Sequence, residues 1–328
     1  MTSANVHRLA VALLAALLVG CHKSGPGETA AGDSSSAART KIRVGFSQIG
    51  AESDWRKANT ESIKSEAAAR GVELIFSDAQ QKKENQIKAL RNFIVQDVDV
   101  IVLAPVVKTG WEPVLKEIRD AGIPVVLTDR RVENEDLYRT FIGADFVEEG
   151  RRAARWLVDA TGGKAVIVEL EGTPGADPAI DRKKGFHEVI AQYPEMKVIK
   201  SQSGEFTRAK GREVMETFLK SPEGPSITAL FAHNDDMALG AIQAIEEAGL
   251  KPGEDILIVS IDGVYAAFEA MVAGKLNCTV ECNPLLGPQL FDTIEDILAG
   301  RDVPKWIKTE EGVFTRETAA EDIKHRRY

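Results

Sequence analysis

Apolar positions along the first half of the chain fall into short unbroken runs, separated by stretches in which they recur at helical spacing. Ile42, Val44 and Phe46 open a strand over 41–47, and a helix follows over 55–70, ended by Gly71. The next elements are a strand over 72–77 and a helix over 83–96, with Ile87, Leu90 and Ile94 on one face. A very apolar strand over 98–104 is closed by Pro105, and a helix over 111–121 is ended by Gly122. Strands over 123–128 and 139–143 complete this set. The pattern then restarts, with helices over 148–161, 179–192, 208–219, 265–273 and 287–299. Strands are expected over 165–170, 196–201, 227–232, 256–261 and 278–281. Between the strand at 227–232 and the stripe Met237, Leu239, Ile242, Ile245 stands Asn234-Asp235-Asp236, where an N-cap belongs. Strands alternating with helices predict parallel sheets covered on both faces, and two successive sets predict two α/β halves.

Composition adds limits. The 328 residues suffice for two domains, and a formal net charge of -9 argues against nucleic acid as the main partner. At the N-terminus, the apolar run 9–19 is too short to span a bilayer comfortably and reads as a secretory signal. Leu18-Val19-Gly20-Cys21 resembles a bacterial lipobox, in which the cysteine becomes the lipidated first residue of the mature protein; a cleaved, non-lipidated signal is the alternative. Residues 22–40 are rich in Ser, Gly and Ala and read as a flexible tether. Cys278 and Cys282 remain. On an extended strand they lie roughly 13 Å apart, beyond the ~7 Å a disulfide tolerates, so both are expected to be free. No Cys/His cluster has metal-ligand spacing, and neither a metal nor a cofactor is expected.

Polar residues with chemistry recur at one address, the C-terminal ends of the expected strands, where ligands bind in open α/β sheets. Glu52, Trp55 and Arg56 follow the first strand, and Asp129 and Arg130 follow 123–128. Arg182 lies beyond the Gly-rich loop after 165–170, Phe206 follows Ser203-Gly204-Glu205, and Asn234 and Asp262 follow the last two apolar runs. Each also has a structural reading: a surface ion pair at Asp129-Arg130, core packing for Trp55 and Phe206, a helix cap at Asn234, a turn at Asp262-Gly263. Lys183 and Lys184 read as a solvated face. Together the set suits a neutral ligand rich in hydroxyls. Asp and Asn accept from hydroxyl groups, Arg offers a rigid fork of donors, and aromatic rings cover a weakly apolar ring face. No Gly-x-Ser-x-Gly elbow, P-loop or dinucleotide fingerprint follows a strand, and His233 has no nucleophile beside it, so catalysis is not expected.

These residues resemble the periplasmic sugar-binding proteins of bacterial ABC transporters, the ribose- and galactose-binding type, and within it the galactofuranose-binding subfamily. The resemblance rests on Glu52-Ser53-Asp54-Trp55-Arg56, the stretches 80–88 and 104–117, Asp181-Arg182-Lys183-Lys184-Gly185-Phe186, 201–208, 231–245 and Ser260-Ile261-Asp262-Gly263-Val264, and it fades after about Gly287. It implies a type I periplasmic binding protein fold, two doubly wound parallel-sheet domains joined by a three-strand hinge. The domains would be 41–143 plus 282–310 and 144–281 plus 311–328, with crossings near Gly143, Glu281 and Glu311. It implies that Trp55 and Arg56 cover one sugar face and Phe206 the other. Asp129, Arg130, Arg182, Asn234 and Asp262 would bind hydroxyls, with Glu281 at a hinge strand and Glu52 in the loop around the ligand. Ribose-type relatives carry a second aromatic where Arg56 stands, which favours another sugar. The implied protein is a periplasmic monomer passing a monosaccharide, expected to be a furanose aldose, to permease subunits; the lipid anchor expected from the lipobox departs from the family, many of whose Gram-negative members are free in the periplasm. The alternative role is a sugar-sensing partner of a chemoreceptor or sensor kinase.

Overall fold

The computed structural model describes residues 41–328; the expected signal, the lipobox at Cys21 and the tether lie outside the described residues. The first half runs β1 Arg43–Gln48, α1 Asp54–Ala69, β2 Glu73–Asp78, α2 Lys83–Val95, β3 Val100–Leu103, α3 Glu112–Asp120, β4 Val125–Thr128 and β5 Thr140–Gly143. The second runs α4 Phe146–Thr161, β6 Lys164–Glu171, α5 Asp177–Ile190, β7 Glu195–Ser203, α6 Arg208–Leu219, β8 Ala229–Ala232, α7 Asp235–Glu247, β9 Leu257–Asp262, α8 Tyr265–Val272 and β10 Cys278–Glu281. α9 Gly287–Leu298, β11 Trp306–Lys308 and β12 Val313–Thr315 follow.

Two six-stranded sheets result, ordered β2-β1-β3-β4-β5-β11 and β7-β6-β8-β9-β10-β12. The two orders are the same wherever corresponding strands are compared, so the halves share a topology that their sequences do not display. Central strands such as β3, β4 and β8 are buried along their whole length, which is why they read as continuous apolar runs and not as alternations. Every pairing is parallel except β10 with β12, an antiparallel edge formed when the chain re-enters the second sheet.

The chain passes between the sheets three times. It leaves the first after Gly143, returns after Glu281 to lay α9 on the first core, and leaves again between Lys308 and Val313. The lobes meet along the C-terminal ends of β1, β4, β6, β8 and β9. Because β2-β1-β3 reverses direction of travel at β1, this edge leaves a crevice that the loops line.

Candidate ligand-binding site

A cavity between the lobes, with about 290 Å3 of free space including the part open to solvent, is lined from the first lobe by Glu52, Trp55, Arg56, Asp129 and Arg130. From the second lobe come Arg182, Phe206, Asn234 and Asp262. Nine of the ten residues singled out from sequence therefore converge. Three more that sequence reasoning passed over, Ser53, Pro178 and Cys282, join them.

Glu281 does not line the cavity. Its Oε1 accepts from Arg326 Nη1 and Tyr328 OH, both at 2.9 Å, and its Oε2 from the Gly312 amide at 3.0 Å. Successive side chains on extended backbone face opposite ways, so it is the next residue, Cys282, that meets the cleft. The two thiols are free, as the strand spacing predicts.

In the first lobe Arg56, on the first turn of α1, is the hub. Its Nε donates to Glu52 Oε1 at 3.0 Å, its Nη2 to Asp129 Oδ2 at 2.6 Å, and its guanidinium lies 4.7 Å from the Trp55 ring centre. Ser53 caps the helix by accepting from the Arg56 amide at 3.1 Å, which fixes the turn that carries Trp55 and Arg56. Burial disfavours the Arg56 charge, but Asp129 and Glu52 outweigh it and hold the group above its usual range. Burial likewise raises the carboxyl of Glu52, yet Arg56 and Arg130 bring it below the usual range. Arg130 donates to the Val106 carbonyl at 3.0 Å and lies over Phe206 of the other lobe, 5.2 Å from the ring centre. Burial pushes it down to about 10 despite Asp129, so it stays charged at neutral pH.

In the second lobe Arg182 donates to Glu149 Oε2 at 2.8 Å and to the His233 carbonyl at 2.6 Å, and lies 3.6 Å from Asp262 Oδ1. Gly150 and Gly185 let α4 and α5 touch here: a Cβ at Gly150 would run into the Arg182 carbonyl, and one at Gly185 into that of Val147. Asn234 serves both of its readings, lining the cavity while Oδ1 caps α7 at the Met237 amide and Nδ2 donates to the Phe206 carbonyl. Asp235 is structural: its carboxylate gathers Ser260, Thr279 and the Gly263 and Val264 amides, which holds Asp262 in place. Burial lifts Asp262 well above its usual range although Arg182 opposes it.

Three lining residues that are not glycine hold positive φ: Asp129 at 65°, Phe206 at 61° and Asp262 at 134°. Such backbone costs on the order of 1–3 kcal/mol each and concentrates where side chains must be aimed. Two buried polar atoms of lining residues, Glu52 Oε2 and Arg130 Nε, have no hydrogen-bond partner within the described residues.

Ion pairs close both flanks of the cleft. On one, Arg131 Nε and Lys108 Nζ of the first lobe meet Asp177 of α5 at 2.9 and 2.6 Å, and Arg131 Nη2 reaches Asp181 at 2.7 Å. On the other, Asp236 accepts from the Asp54 amide at 2.8 Å while Arg208 bridges Asp54 and Asp236 at 3.0 and 3.1 Å. Trp55 Nε1 donates to the Cys282 carbonyl at 2.6 Å, and its ring packs into the second lobe's core.

Residues 44–302 match the family model described as a periplasmic binding protein domain. This chain belongs to the periplasmic binding protein family. It is 51% identical over 299 residues to the galactofuranose-binding protein of Escherichia coli (strain K12), covering 90% of this chain and 94% of that one. Among solved structures it is similar to the periplasmic binding protein component of the arabinose ABC transporter from Shewanella sp. ANA-3, bound to alpha and beta-L-arabinofuranose. That match has a TM-score of 0.85 and 56% identity, over 87% of this chain and 96% of the other. It is also similar to a Mycobacterium smegmatis protein in complex with beta-D-fucofuranose, with a TM-score of 0.83 and 53% identity over 86% and 94% of the two chains. The two-lobed type I fold expected from the sequence is the fold of this family.

Proposed function

We propose that this protein is the solute-binding component of an ABC sugar importer. It closes on a monosaccharide in the interlobe cavity and delivers it to the permease without chemical change. The ligand is a furanose aldose, galactofuranose or a close relative. The moving bodies of this cycle are 41–143 with 282–310, and 144–281 with 311–328. The protein works as a monomer in the periplasm, tethered through a lipid on Cys21.

The observation that carries this reading is a pair of buried atoms without a hydrogen bond, Glu52 Oε2 and Arg130 Nε, an acceptor and a donor, among residues lining the interlobe cavity; among the described residues Arg130 Nε has only the Asp129 carboxylate at 3.5 Å. A polyol supplies both partners at once. The charges around the cavity are largely matched within each lobe, Arg56 by Glu52 and Asp129, Arg182 by Glu149, which suits a neutral ligand. The relatives named for galactofuranose, arabinofuranose and fucofuranose support the furanose ring.

A thermal-shift screen tests it, because a ligand that binds only the native state raises its stability. Equilibrating free sugars are compared with glycosides locked as furanosides or pyranosides, followed by calorimetry on the best. Binding of pyranosides and not furanosides removes the furanose reading, and no sugar binding at all removes the whole. Uptake of the sugar by cells lacking the gene separates transport from sensing: normal uptake opposes the importer role. Cys21→Ser should leave the membrane fraction or remain unprocessed; membrane attachment unchanged in that variant opposes the anchor.

A further inference from the structure

At the wall of the interlobe cavity that Cys282 lines, where the second and third crossings of the hinge meet α4, three potential ligand groups distant in sequence come together. A carboxylate oxygen of Glu149, the Cys282 sulfur and a carboxylate oxygen of Glu311 all lie within 4.8 Å of one another. Glu149 and Cys282 are 1% and 3% exposed. Glu149 Oε2 is taken by Arg182, Glu149 Oε1 is buried with no nitrogen or oxygen donor among the described residues, and the Cys282 thiol is the remaining donor to this carboxylate. The bonds from Thr309 Oγ1 at 2.8 Å and the Asn283 amide at 3.3 Å both go to Glu311 Oε1. A groove with about 800 Å3 of free space, lined by Asp145, Glu148 and Lys308 among others, reaches Glu149 and Glu311 from solvent.

The charges here do not balance. Arg182 is the cation that pairs with Glu149, and Asp262 lies against the same guanidinium. Lys308 is engaged by Asp145, and Arg152 Nη1 donates to the Glu311 main-chain carbonyl, not to its carboxylate. A buried carboxylate oxygen met by no more than a weak thiol donor is costly, and an added positive charge relieves it.

We propose that Glu149, Cys282 and Glu311 form a binding site for a divalent transition metal of the zinc type. Carboxylate oxygen and thiolate sulfur are each ligands that such an ion takes, with water as the fourth and the Cys282 proton released to solvent on binding, whereas calcium and magnesium take oxygen alone. Three ligand atoms 4.8 Å apart lie about 2.8 Å from their common centre, so side-chain shifts of about 0.5–0.8 Å bring them to bond lengths of about 2.0–2.3 Å. The bound ion ties two hinge crossings to α4 and sits directly behind Arg182, so metal content and sugar affinity become linked.

The test uses the full chain, stripped with a chelator and free of sugar. Cobalt(II) as the probe should bind once per chain and give a thiolate-to-metal charge-transfer absorption, which Cys282→Ser abolishes. Zinc(II) should raise the thermal midpoint, and Glu311→Gln should weaken zinc binding by at least about tenfold. The cobalt spectrum of the unmutated protein needs no variant to fold. Its absence overturns the proposal and leaves a proton shared by Glu149 and Glu311 as the occupant. A zinc-induced rise undiminished in Glu311→Gln overturns it as well.

Discussion

Arg182 and Glu149 are joined Nε to Oε2 at 2.8 Å across the contact of α5 and α4, with neither side chain more than 4% exposed. The pair aims the guanidinium, whose other nitrogens reach the His233 carbonyl and Asp262 at the cavity wall. Removing one partner of a buried pair strands the other. Arg182→Ala should therefore destabilise the fold by about 3–5 kcal/mol and abolish measurable sugar binding. Urea unfolding and calorimetry measure the two effects, and a variant that unfolds like the parent would mean that Glu149 is neutralised in another way.

Arg130 and Asp262 face the cavity from opposite lobes. If the sugar bridges them, truncating either leaves polar groups unsatisfied, at about 1–3 kcal/mol for each neutral group. Arg130→Ala and Asp262→Ala should each weaken binding at least about tenfold with both lobes folded. Lys184, 61% exposed at its side chain, is the control: Lys184→Ala should change affinity little. Equal behaviour of Asp262→Ala and Lys184→Ala in calorimetry would move the ligand away from the strand ends.

Asp177 does not itself line the cavity, yet it collects Lys108 and Arg131 from the opposite lobe. The lobe opening proposed above would break these pairs. Asp177→Ala should speed ligand release several-fold and leave association nearly unchanged, the usual kinetic signature of losing contacts that hold a complex shut. Stopped-flow release by sugar dilution reads this directly. A variant whose release rate equals that of the parent would show that the flank pairs do not hold the closed state.

Glu169 sets a pH dependence. Burial raises its carboxyl, but hydrogen bonds from His187 and His233 with Ser201 carry it well below its ordinary 4.5. A depressed acid stabilises the fold fully above its unfolded value, and that stabilisation is lost as pH falls below about 4.5 towards the folded value. His233 adds in the same direction: burial lowers its pKa below the ordinary 6.5 despite Glu169, so acid favours its protonation in the unfolded chain. Urea midpoints should fall from about pH 7 to about pH 3, more steeply in the parent than in Glu169→Gln. Parallel curves would place the acid sensitivity elsewhere.

Much of this protein is local information. The alternation of apolar runs and helical stripes specifies α/β halves, because burial on both faces of a central strand demands continuous apolar residues such as Val100–Leu103. The residues that follow strand ends are placed at the cleft edge by chain order, and the family resemblance selected among them, so nine cavity residues could be named without a structure. Chain order could not phase the short hinge strand, where Glu281 turns to the C-terminal segment and Cys282 to the cavity. Nor could it pair Arg131 with Asp177, set Asp236 under the Asp54 amide, or bring Glu149, Cys282 and Glu311 within 4.8 Å of one another. Those relationships join segments far apart in sequence. They exist only once both sheets have formed and closed on each other, because a side chain's partner across a cleft depends on rigid-body geometry that no local periodicity encodes.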